Sequence, residues 1–103
     1  MSTAVDSTPA GVPLTQTEIH CFALMAEASP GMMPRVMEPF AKRGLVPMRL
    51  HATLCGRQTN ELSIDVQICD IDADQADLIA AQLRQIFGVS TVLTSEKRLI
   101  RAS

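Results

Sequence analysis

No tryptophan and no tyrosine occur in this chain of 103 residues, and phenylalanine is confined to Phe22, Phe40 and Phe87. Proteins that grip nucleic acid combine phosphate-neutralising Lys and Arg clusters with stacking aromatics. Both are missing here: Lys and Arg number 9 against 11 Asp and Glu, giving a formal net charge of -2 without a basic stripe. Nucleic acid is a poor partner for such a surface. Long apolar runs are absent too; none approaches the roughly 18 to 20 residues of a membrane span, so no membrane partner is expected. The cysteines, Cys21, Cys55 and Cys69, are odd in number and sit in strand-like segments, which argues against a disulfide framework.

What is present is an ordinary globular composition, 47% hydrophobic and 19% charged. Residues 1–18 have neither a basic n-region nor an apolar h-region, so no secretory signal is expected and a cytoplasmic location is. Small, polar and containing Pro and Gly, they read as a flexible leader, and residues 95–103 read as a C-terminal tail. One domain over residues 19–94 remains, small enough for its core to be marginal. Association follows as an expectation: a homodimer or higher homo-oligomer, or docking on a larger protein.

The order of elements comes from periodicity. Ile19 to Glu27 is a nearly continuous apolar run, suited to an inner strand. Met33, Val36, Met37, Phe40 and Ala41 fall at helical spacing, with Pro34 in the first turn and Gly44 as the stop. Pro39 lies inside that helix and predicts a kink. Leu45 to Cys55 and Glu61 to Cys69 alternate with period two and predict a hairpin around residues 56–60. Asp72 and Gln75 form a capping-box pair before a helix with Ala76, Ile79, Leu83, Ile86 and Phe87 on one face, ended by Gly88. Ser90 to Thr94 predicts a short last strand. The sequence therefore reads as an α+β domain of ferredoxin-like βαββαβ order, an antiparallel four-stranded sheet with two helices on one face.

That topology hosts many functions, so chemistry must be sought in the side chains. A soft-metal carrier would place Cys-x-x-Cys in the first loop; this loop, Ala28-Ser29-Pro30-Gly31-Met32-Met33, has no cysteine. A phosphate-cradling hydrolase would need a positioned Arg and Asn, but Arg35 stands alone and Asn60 lies in the hairpin turn. Cys21 adjoins His20, yet neighbouring strand residues point to opposite faces. His20 and His51 read as surface or interface residues. The acidic run Asp70, Asp72, Asp74 and Asp77 suits a helix N-terminus and lacks the glycine and closing Glu of a calcium loop. No catalytic set and no metal or cofactor site emerges, so the chain is not expected to be an enzyme.

The loop into the first helix survives this elimination. Gly31 lets a ligand approach the backbone, and the free N–H groups around Met32 and Met33 carry partial positive charge. A carboxylate could sit there. Together with Arg35-Val36 and Phe40-Ala41-Lys42-Arg43-Gly44, this stretch resembles the ACT domain, and more narrowly the one-domain small, regulatory subunit of acetolactate synthase. The resemblance covers about residues 19–94. It implies a non-catalytic subunit that activates a large catalytic subunit, in which any thiamine diphosphate would reside, within branched-chain amino-acid biosynthesis. It also implies an amino-acid site at Ala28, Ser29, Gly31, Met32, Met33 and Val46. Valine-sensitive members carry Asn at the positions of Ala28 and Val46, so the polar hooks for an amino acid are gone. Docking is favoured over sensing; a stand-alone amino-acid-binding module is the alternative.

Overall fold

The elements follow as β1 (Leu14–Glu27), α1 (Met32–Ala41), β2 (Arg49–Cys55), β3 (Glu61–Cys69), α2 (Ala73–Arg84) and β4 (Val89–Ala102). The computed structural model describes residues 14–55 and 60–102. Residues 1–13 of the expected leader, residues 56–59 of the expected turn, and Ser103 lie outside the described residues. The strands form one antiparallel sheet in the order β2-β3-β1-β4, the arrangement expected of a βαββαβ chain.

Register sets the core. Phe22 stands opposite Val66, Leu24 opposite Ile64 and Ala26 opposite Leu62, and directly opposed residues share a face. Against this face pack Met32, Val36 and Phe40 from α1 and Ala76, Ile79, Ala80 and Leu83 from α2. The rings of Phe22 and Phe40 meet edge to face, centroids 5.3 Å apart and planes at 77°. On the other face the register places Arg49 opposite Gln67 and His51 opposite Asp65, as the alternation predicts. Among the described residues no helix is long and apolar enough to cross a membrane.

Helix ends match their local chemistry. The Asp72 carboxylate accepts from the Gln75 N–H at 2.8 Å, and the Gln75 side chain accepts from the Asp72 N–H at 3.3 Å, closing the capping box. At the far end of α1 the Gly44 N–H donates to the Ala41 carbonyl at 2.9 Å and the Leu45 N–H to the Phe40 carbonyl at 3.0 Å. This bond pair is a Schellman closure, with Gly44 at φ 71°. The helix runs through Pro39, whose ring is buried in the core face.

Several expectations are corrected. The last strand is 14 residues long, not five, and β1 begins at Leu14 rather than Ile19. Leader residues 14–18 and tail residues 98–102 are paired with each other, Leu14 opposite Ala102 and Glu18 opposite Arg98. They form a ribbon beyond the end of β3, which stops at Cys69 opposite Ile19. Backbone ladders need no apolar alternation, so this pairing left little mark in the side chains. The buried stripe of α1 is centred on Met32, Val36, Pro39 and Phe40; Met33 and Met37 only flank it, and Ala41 is exposed. Phe87 is 84% exposed, because α2 ends at Arg84 and the chain turns before reaching it. β2 starts at Arg49 rather than Leu45. His20 is buried, not a surface residue.

Candidate functional site

The loop from β1 into α1 is held from three sides. At its root the Glu27 N–H donates to the Gly88 carbonyl at 2.8 Å, and the Ala28 N–H to the Asn60 carbonyl at 2.7 Å. These bonds tie the loop to the turn after α2 and to the start of β3. Within the loop, the Met32 N–H donates to the Ser29 carbonyl at 3.0 Å.

Arg35 closes the third side. Its Nε donates to the Gly31 carbonyl at 3.1 Å, Nη1 to the Phe87 carbonyl at 3.2 Å, and Nη2 approaches Ser29 Oγ at 3.5 Å. The side chain is one helical turn beyond Gly31, so its reach back over the N-terminus follows from i, i+4 spacing. Its bond to Phe87 spans 52 positions and left no local signal in the sequence. Gly88, at φ 96°, lets Met32 pass: a Cβ there would stand 2.7 Å from Met32 Cε.

The six residues named for a ligand fall into three settings. Ala28 and Ser29 are half-buried and Gly31 is exposed beside Arg35. Met32 is fully buried in the core, and Met33 packs partly against it. Val46 is 84% exposed in the connection from α1 to β2, apart from the loop in sequence. Gly31 itself is at φ −85°, ψ −2°, a conformation open to any residue.

Electrostatically, the helix start is uncompensated. α1 has no side-chain cap and no acidic residue in its first turn, so the partial positive charge of its N-terminus has no counter-charge within the helix, and the Arg35 guanidinium lies beside it. Among first-turn N–H groups, Met32's is used, Pro34 has none, and Arg35's reaches the Gly31 carbonyl at 3.4 Å. The Met33 N–H is the one left for an anion. No nucleophile–base pair adjoins it.

The neighbouring edge is apolar. Leu50, Ala52 and Leu54 of β2 stand opposite Val66, Ile64 and Leu62 and so share the helix-bearing face. The helices do not reach them: Leu50 is 44% and Leu54 68% exposed, and Met48 and Val46 are exposed in the segment just before the strand. β2 is an edge strand, with one side of its backbone ladder open.

Fold and site together define a βαββαβ module with no catalytic constellation among the described residues. The chain belongs to the ACT-like domain family, whose model matches residues 14–99. Its fold is similar to the ACT domain of a GTP pyrophosphokinase from Chlorobium tepidum, 16% identical, TM-score 0.63, covering 75% of this chain and 96% of that one. It is also similar to the regulatory subunit of aspartate kinase from Thermus flavus, 17% identical, TM-score 0.56, covering 90% and 62%. An uncharacterised protein from Thermotoga maritima is similar at 15% identity, TM-score 0.54, covering 82% and 96%. No curated protein matches the chain.

Proposed function

We propose that this protein is a non-catalytic regulatory subunit that activates an acetolactate synthase-like enzyme of branched-chain amino-acid biosynthesis by docking. The observation that carries a docking role is the pair of exposed leucines Leu50 and Leu54 on an open strand edge, with Met48 and Val46 exposed in the segment that leads into it. Apolar surface of this kind is stabilised when a partner covers it, and an unpaired ladder adds backbone hydrogen bonds. The acetolactate synthase assignment rests on the stretch from Gly31 to Gly44, whose Schellman closure and Arg35 contacts give the motif its shape. Thiamine diphosphate, on this reading, belongs to the catalytic partner. Homo-oligomerisation uses the same edge: two β2 strands paired antiparallel would extend the sheet and cover Leu50 and Leu54 of both copies.

Co-expression with an acetolactate synthase catalytic subunit tests the proposal. Co-elution and a raised turnover are expected; a catalytic subunit that elutes alone with unchanged turnover rejects it. A second reading, a stand-alone amino-acid-binding module, is favoured by the uncompensated N-terminus of α1 beside Arg35. There a ligand carboxylate would meet the Met33 N–H and the guanidinium. The losses at Ala28 and Val46 weigh against it, since a buried ammonium without acceptors binds poorly. Titration calorimetry across the twenty amino acids separates the two readings.

A further inference from the structure

Where the β1–β4 ribbon leaves the body of the sheet, one imidazole is enclosed by carboxylates. His20 is 5% exposed, the one buried polar side chain among the described residues. It lies on the helix-bearing face, between Ile68 on β3 and Glu96 on β4. Glu18 is two residues earlier on the same face, and its Oε1 is 3.2 Å from His20 Nε2. Glu96 Oε2 is 3.7 Å from Nδ1. One ligand atom from each of the three residues lies within 4.8 Å of the other two. A hollow of about 220 Å³ opens beside them, lined also by Asp77 of α2 and by Thr94. Arg98 stands opposite Glu18 in register but forms no ion pair with it among the described residues.

The proton count makes this arrangement informative. A neutral imidazole donates from one nitrogen only. In the neutral form, the 3.2 Å contact suits the tautomer that carries its proton on Nε2, with Glu18 accepting. Nδ1 is then a buried lone pair facing the Glu96 carboxylate across a gap too long for a hydrogen bond. Two electron-pair donors facing each other call for a cation between them. A shared proton would draw them to about 2.8 Å. Two ligands of one tetrahedral zinc, each at about 2.0 to 2.2 Å, stand roughly 3.4 Å apart, close to the gap observed. The carboxylate on the far nitrogen is the orienting partner that metal-bound histidines use.

We propose that His20 Nδ1 and Glu96 bind a divalent transition-metal ion of the zinc type, with Glu18 holding the imidazole and the remaining positions open to water in the hollow that Asp77 and Thr94 line. One imidazole with carboxylates suits such a borderline ion better than calcium or copper(I). The ion would tie β1 to β4 at the root of the ribbon. This site is separate from the β2 edge, so it stands or falls independently of the docking role.

The test uses the full chain, freed of metal by chelation, with Zn²⁺ followed by calorimetry and thermal melting and Co²⁺ by visible absorption. One Zn²⁺ per chain, a raised melting temperature and a cobalt spectrum of nitrogen and oxygen ligation are expected. Glu96→Gln, at a half-exposed position, should keep the fold and weaken binding about tenfold or more, and Glu18→Gln about tenfold, as orienting partners do. His20→Gln should abolish binding; where it does not fold, Glu96→Gln decides. Absence of Zn²⁺ heat, equal affinity in Glu96→Gln, or a thiolate charge-transfer band marking the cysteines as ligands overturns the proposal.

Discussion

Met32 Cε occupies the space that a Cβ on Gly88 would need, 2.7 Å from its ideal position. Met32 is fully buried, so it cannot swing aside without opening the core. Gly88 is also at φ 96°, where an L side chain is strained. Gly88→Ala should therefore cost about 1 to 3 kcal/mol, read by urea denaturation. Gly31→Ala is the control. Its φ is ordinary, and its nearest neighbour to a new Cβ is Arg35 Nε at 3.8 Å. Lost capping and reduced unfolded-state freedom then oppose each other, leaving it within about 0.5 kcal/mol of the parent. Equal losses at both glycines would refute the steric account.

The edge-to-face pair Phe22 and Phe40 joins the central strand to α1. Phe40→Ala removes a fully buried ring and should cost about 3 to 5 kcal/mol, enough to empty the folded state of a small domain. A double-mutant cycle with Phe22→Leu and Phe40→Leu should show a coupling of about 0.5 to 1.5 kcal/mol. Strict additivity would mean that the two rings contribute by burial alone.

What could be read in the sequence was local. Period-two alternation in Glu61 to Cys69 put Leu62, Ile64, Val66 and Ile68 on one face, and the Asp72–Gln75 spacing announced a helix start. Gly44 marked a helix end through its backbone freedom. Missed features depend on distant partners. The ribbon is made by residues some 80 positions apart, and Arg35 finds the Phe87 carbonyl only after the chain has folded. The phase of α1 was ambiguous because Met32, Met33, Val36 and Met37 spread apolar character around the helix. His20 did leave a signal: it shares parity with Phe22 and Leu24, and that parity places it inward. For β2, alternation told which way Leu50 and Leu54 face, but not whether a helix covers them.

The capping box at Asp72 offers a clean local measurement. Asp72→Ala removes the acceptor of the Gln75 N–H and a negative charge at the helix start, for an expected loss of about 1 kcal/mol. Amide exchange should quicken in the first turn of α2 and stay unchanged in β3. Gln75→Ala leaves the stronger bond in place and should cost less. A larger loss for Gln75→Ala would reverse the assigned roles.

Leu50 and Leu54 should matter to association far more than to folding. Both face the helix side of the sheet, yet both remain largely exposed on an edge strand. Replacing them with lysine exchanges apolar surface for charge at a position where charged edges discourage strand pairing. Stability of the isolated chain should change by no more than about 0.5 kcal/mol per substitution, as at other exposed positions. The mass in sedimentation or light scattering should fall to that of a monomer, and with it any activation of a co-expressed catalytic subunit. If the double variant keeps the parent's mass, the β2 edge is not the interface. If it becomes monomeric yet still activates, docking uses another surface, and the homo-oligomer and the regulatory contact are separate properties of the fold.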